Sequence, residues 1–103
     1  MRMMTSLLLD SENLDEYRRR HDNLWPELRA DMSERGASNI SIFFDEQTQR
    51  AYMYVEVADS ARWIEGGVSD VTARWWKFMS DIMPTNPDGS PLLHELAELF
   101  HQD

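Results

Sequence analysis

Two runs near the middle of the chain, residues 39–45 (NISIFFD) and 50–57 (RAYMYVEV), constrain most what this sequence can fold into. Both are rich in β-branched and aromatic residues, which fit the pleated surface of a strand. Only the polar tetrapeptide EQTQ separates them, so the pair reads as an antiparallel hairpin. A hairpin is marginal alone and needs further strands or a covering helix. With 103 residues the chain has material for one hydrophobic core and not for two, so residues 1–103 are expected to form a single domain.

The flanking segments supply that cover. Residues 3–9 (MMTSLLL) read as a first strand, ended by the turn-prone Asp10-Ser11. Beyond it Leu14, Tyr17, His21, Leu24 and Leu28 recur at helical spacing and share one face if a helix runs through them. Asn13 followed by Glu16 suits a capping box. Pro26 disfavours the α conformation at Trp25 and suits the first turn of a new helix, so a kink or break is expected there, with helix resuming through Met32 and ending at Gly36. After the hairpin, Asp59 or Ser60 can cap a short helix, ARWIEG. Ser69 or Asp70 can cap another, VTARWWKFMSDIM, which must stop before Pro84. TNPDGSP is a loop. The last segment, LLHELAELFHQ, fits a helical template and a strand template equally well. If it is a strand, the order is the split β-α-β-β-α-β, or ferredoxin-like, α+β arrangement.

Charge and composition work by elimination. Nineteen acidic residues against ten basic ones leave a net charge of −9, which repels phosphate backbones and anionic bilayers. Nucleic acid and membrane are therefore not expected as partners, and no apolar run is long enough to span a bilayer. The N-terminus shows neither an h-region nor a small-residue cleavage site, so no signal peptide is read. Without cysteine there is no disulfide or thiolate catalysis, which is compatible with a reducing compartment. His21, His94 and His101 lack metal-ligand spacing, and no phosphate-binding glycine motif or nucleophile elbow is present.

Two groups of residues remain as candidates for chemistry. Tyr17 and His21 stand four apart and neighbour each other on a helix face, where one ligand can meet both. Histidine is suited to proton transfer near neutral pH. The alternative is a core tyrosine beside a half-exposed polar residue. Trp75 and Trp76 point about 100° apart on a helix, so one can pack inward while the other borders a cleft. Indole faces suit the C–H faces of sugar rings, yet both can also simply fill core. Asp81 and Asp88, which follow the tryptophan pair, read as structural.

Three strings then carry a resemblance. EYRRRHDNLWPEL (residues 16–28), GASNISIFFD (36–45) and RWWKFMSDIMPTNPDGSP (74–91) are similar to segments of the L-rhamnose mutarotase family, in the same order and with little change of length, and the terminal ELAELFH resembles that family's close. The resemblance implies a ferredoxin-like α+β barrel that forms a homodimer, uses no cofactor or metal, and interconverts the α and β anomers of L-rhamnose, or a closely related 6-deoxy sugar, in the cytoplasm. It places the proton-donating histidine on His21, a sugar-contacting tyrosine on Tyr17 and paired sugar-binding tryptophans on Trp75 and Trp76. It also decides the ambiguous tail in favour of a fourth strand.

One position departs from the pattern. Where the family has a second substrate-contacting tyrosine, this chain has Ile40, which leaves a pocket-lining position without its hydroxyl. Tyr54 replaces it only if the hairpin register puts both residues on one sheet face, and an even-length turn puts them on opposite faces. Two other activities fit a small ferredoxin-like chain rich in tryptophan: a cofactor-independent monooxygenase, and a non-catalytic sugar-binding module.

Overall fold

The hairpin forms as the sequence requires, with β2 (Ala37–Asp45) and β3 (Arg50–Val57) paired antiparallel and Asp45 opposite Arg50 across the turn. The computed structural model describes residues 1–103 apart from the side chains of Ile64 and Glu65. Residues 46–49 close the turn: the Asp45 carboxylate accepts from the Gln47 amide at 3.0 Å, and Gln49 takes a positive φ of 54°. β1 (Arg2–Leu8) pairs antiparallel with β3 on one side and with β4 (His94–Leu96) on the other. The sheet order is β2-β3-β1-β4, in which each helical crossover skips one strand, and this is the ferredoxin-like arrangement.

Helices connect the strands as expected, with local differences. α1 (Leu14–Asp22) is preceded by a single 3-10 turn, Ser11–Asn13. That turn takes over the capping: Asp10 accepts from the Glu12 amide, while Asn13 caps nothing with its side chain. The Asn13–Glu16 capping box is therefore absent among the described residues. The break before Pro26 is real, and Pro26 opens α2 (Pro26–Glu34), which ends one residue short of Arg35, with Gly36 following at a φ of 87°. α3 (Ser60–Glu65) is capped by Asp59 and α4 (Asp70–Met79) by Ser69. α4 stops four residues earlier than the segment's last apolar position, Met83, because residues 80–83 turn toward the Pro84 loop.

The helices cover one face of the sheet. Leu7 and Ala51 from the strands meet Tyr17, Leu28, Trp75 and Met79 from the helices in the main core, with Leu9, Ile82 and Met83 at its edge. Complete burial of Met79 and near-complete burial of Leu9 stabilise the fold by about 1.5–3 kcal/mol each. A smaller cluster of Ala37, Val55 and Val57 continues this layer toward α3. The opposite face carries Met4, Leu8, Phe43, Tyr52, Tyr54 and Leu96, and no helix among the described residues packs on it. Phe43 is 68% exposed there.

Candidate active site

α1 and α4 bring an imidazole, a phenol and an indole together on the covered side of the sheet. Tyr17 and His21 are one turn apart on α1, and their ring centroids lie 4.4 Å from each other. Trp75, on the inward face of α4, meets His21 edge-on with centroids 5.5 Å apart and planes at 88°. Trp25 and Phe78 complete the aromatic cluster, Trp25 at 5.1 Å from Trp75 and Phe78 at 5.7 Å. These tilted and edge-on contacts are the arrangements favoured by aromatic quadrupoles.

One hydrogen bond fixes the imidazole. His21 Nδ1 lies 2.9 Å from the Tyr17 carbonyl oxygen, which can only accept, so Nδ1 carries the proton and Nε2 is left with a lone pair. Burial holds the imidazole below its ordinary pKa, against the smaller opposing effects of the Tyr17 carbonyl and Asp22. His21 therefore rests neutral at pH 7. Burial also pushes the Tyr17 phenol up to about 12, so it is a hydrogen-bond donor and not a base at working pH. Its hydroxyl has no hydrogen-bond partner among the described residues.

The paired tryptophans separate, as their 100° offset demands. Trp75 is buried, whereas Trp76 borders an open cleft of about 570 Å³, within the roughly 300–1,000 Å³ range of small-ligand sites. Val68, Ala73, Lys77, Ser80 and residues 85–89 line the rest of that cleft, and neither Tyr17 nor His21 is in its wall. The structure thus joins Tyr17, His21 and Trp75 directly and sets Trp76 around the helix from them.

Ile40 stands on the helix side of the sheet. Residues 39 and 40 together oppose Val55 in a β-bulge, and Asn39 takes the left-handed φ of 50° that such a bulge uses. From Ile40 the alternation runs to Ile42 and Phe44, both packed on the main core. Ile40 itself is 38% exposed. Tyr54 pairs with Ser41 and faces the other way, with its hydroxyl donating to Glu56 at 3.2 Å, so it does not replace the hydroxyl missing at Ile40.

Asp81 and Asp88 are held in local structure. Asp81 pairs with Arg20, whose guanidinium holds its carboxyl below the usual range, and Asp88 accepts from the Ser90 amide and hydroxyl. No group of three or more metal-ligating side chains exists among the described residues. Trp25 and Phe78 were not distinguished by sequence. The Trp-Pro junction pointed to Trp25 as a break, but its extended backbone (φ −59°, ψ 130°) is also what turns the residue out of helical register beside Trp75.

Strand order, helix placement and an imidazole held among indoles define a ferredoxin-like α+β protein with the equipment of an acid–base enzyme. The family model for L-rhamnose mutarotase matches residues 2–102. A curated L-rhamnose mutarotase from Listeria monocytogenes is 40% identical over 97% of this chain and 96% of its own length, and one from Oceanobacillus iheyensis is 43% identical over 86% of each. The crystal structure of an L-rhamnose mutarotase from Formosa agariphila superposes with a TM-score of 0.89 at 34% identity, covering 100% of this chain and 99% of that one. A dimeric ferredoxin-like protein from an uncultured marine organism shares the fold alone, with a TM-score of 0.61 at 11% identity over 98% and 96% of the two chains.

The chain belongs to the L-rhamnose mutarotase family, a family of isomerases. This favours the mutarotase reading over a monooxygenase or a non-catalytic sugar-binding module.

Proposed function

We propose that this protein interconverts the α and β anomers of L-rhamnose, with His21 as the proton-transfer group. Family membership supports the reaction, and the observation that carries the mechanism is the imidazole tied at Nδ1 with Nε2 left free. Mutarotation removes the proton of the C1 hydroxyl, breaks the bond from C1 to the ring oxygen, and puts a proton on that oxygen. A neutral imidazole begins by accepting the C1 hydroxyl proton at Nε2. The imidazolium so formed is disfavoured by burial, which makes it a strong acid toward the ring oxygen. Rotation of the open aldehyde and the reverse transfers give the other anomer, and His21 returns to its starting state.

In this reading Tyr17 donates to a sugar hydroxyl, because its phenol is neutral and unpaired. Trp75 backs the imidazole with apolar surface for the sugar's C–H face and methyl group. Trp76 stands around the helix on the neighbouring cleft, and its part in sugar binding, like that of Ile40, is carried over from the family's pattern. No cofactor or metal has a role in these steps. Exchange NMR on equilibrating L-rhamnose tests the proposal: the protein is expected to accelerate exchange between the two anomeric signals. Sugar binding with no acceleration would overturn it.

The assembly proposed with it is a homodimer formed through the outer sheet face. Support comes from the uncovered apolar surface around Phe43 and from the dimeric ferredoxin-like protein of the same fold. Such an enzyme of sugar catabolism would work in the cytoplasm. No helix among the described residues is long and apolar enough to cross a membrane.

A further inference from the structure

Arginine is seldom buried unless its charge is matched, yet the Arg20 side chain is only 9% exposed. Its guanidinium is bound on several sides. Nε donates to Glu16 at 2.7 Å, Nη1 donates to the Phe78 carbonyl and to Asp81 Oδ1 at 2.8 Å each, and Nη2 donates to Asp81 Oδ2 at 3.1 Å. Its Cζ also stands 4.3 Å from the centroid of the Phe78 ring.

These contacts join the two walls of the candidate site. Arg20 precedes His21 on α1. Phe78 lies in the last turn of α4, its ring 5.7 Å from Trp75 and 5.5 Å from Trp25, and Asp81 lies just beyond that helix. One end of the bridge therefore holds the residue next to the imidazole, and the other holds the ring that supports the indole. A bidentate arginine–carboxylate fork fixes direction as well as distance, which a lysine does not.

We propose that Arg20, anchored by Asp81, is a positioning residue for the mutarotase reaction: it locks α1 onto the end of α4 and so fixes His21 against Trp75. The inference rests on His21 acting as proposed above. Arg20 itself does not touch the sugar, since four of its five N–H groups are already engaged within the chain. The Asp81 side chain is 64% exposed, and pairs of that kind contribute little to stability. Their effect on geometry is larger, because displacing a reacting group by 1 Å can cost about 10²-fold in rate.

The test compares kcat and KM for L-rhamnose anomer exchange in Asp81→Asn, Asp81→Glu and Arg20→Lys, with melting temperature measured alongside and His21→Gln as control. Asp81→Asn and Arg20→Lys are expected to lower kcat about tenfold while KM changes less than about twofold. Asp81→Glu, which keeps a carboxylate for the fork, is expected to recover most of the loss. Should Arg20→Lys fail to fold, Asp81→Asn alone decides, since it alters an exposed side chain. Wild-type kcat in folded Asp81→Asn, with or without a lower melting temperature, overturns the proposal, as does an effect confined to KM. If His21→Gln retains full exchange, the reading of His21 fails first and takes this inference with it; an inactive His21→Gln beside an active Asp81→Asn sinks the positioning role alone.

Discussion

The imidazole of His21 meets the indole of Trp75 edge-on, centroids 5.5 Å apart and planes at 88°, although 54 positions of sequence separate them. The Tyr17 carbonyl holds the same imidazole from within its own helix. One contact sets the tautomer and the other sets the ring's lateral position. His21→Gln preserves much of the packing and removes the titratable nitrogen. It is expected to slow anomer exchange by about 10²–10⁴-fold with the circular dichroism spectrum unchanged. Exchange at the wild-type rate would remove His21 from the mechanism.

Burial of that imidazole predicts a pH dependence of defined sign. The ordinary pKa of 6.5 applies in the unfolded chain, and the folded value is lower. Below pH 6.5 the unfolded state takes up a proton that the native state resists, so this group's stabilising contribution is complete above 6.5 and is lost as pH falls. Activity, which needs neutral Nε2, is retained further and drops only through the lower folded value. Wild-type protein should therefore lose melting temperature between pH 7.5 and 5.5 more steeply than His21→Gln. Its kcat/KM should fall with a midpoint under 6.5. Parallel melting curves for the two proteins would contradict the assignment.

Trp75 and Trp76 are adjacent in sequence and different in consequence. Trp75 is 8% exposed and touches His21, Trp25 and Phe78, so Trp75→Ala is expected to destabilise by about 3–5 kcal/mol. Trp76 is half-buried at the margin of the 570 Å³ cleft. Trp76→Ala should cost under about 2 kcal/mol and instead raise KM for L-rhamnose, with kcat little changed, as loss of uniform binding requires. Chemical denaturation and exchange kinetics on the two variants separate the effects. Equal destabilisation would show that both indoles serve packing.

How far the sequence reaches is clearest from single elements. The central hairpin was legible because enrichment in β-branched and aromatic residues and a polar four-residue link are local signals, and Pro26 marked the break between α1 and α2 for the same reason. β4 was not, since three residues carry too little pattern. Its strand character comes from pairing His94 and Leu96 with Ser6 and Met4, some ninety positions away. Asn13 misled because a 3-10 turn capped by Asp10 preceded the helix, leaving the Asn13 amide to reach the Ile82 carbonyl at 3.4 Å. At the site, Tyr17 beside His21 follows from helix geometry. The contacts of Trp25 with Trp75 and of Arg20 with Asp81 are tertiary, and nothing in the local sequence announces them.

The outer sheet face offers a test of assembly. Phe43 is 68% exposed on the surface proposed to meet a second copy. A carboxylate there, in Phe43→Glu, would be trapped without a partner in the interface, at a cost of several kcal/mol. Sedimentation velocity should then find wild-type protein at twice the 12.1 kDa chain mass and the variant at the single-chain mass. An unchanged mass would move the interface elsewhere.

Ile40 raises the question of which sugar the site prefers. It lies on the helix side of the sheet beside a bulge, and its 38% exposure leaves space for a longer side chain without overpacking. Tyr54, the nearby phenol, points to the opposite face and is engaged with Glu56. Ile40→Tyr therefore adds a hydroxyl where the chain has none. A hydrogen bond worth about 0.5–1.5 kcal/mol would lower KM for L-rhamnose about 2- to 13-fold. The gain should be unequal among L-rhamnose, L-fucose, L-lyxose and L-mannose, because a fixed donor rewards one hydroxyl configuration over its epimer. Exchange kinetics over the four sugars measure this directly. A variant that folds normally yet shows the same KM pattern as wild type would place residue 40 beyond reach of the bound sugar.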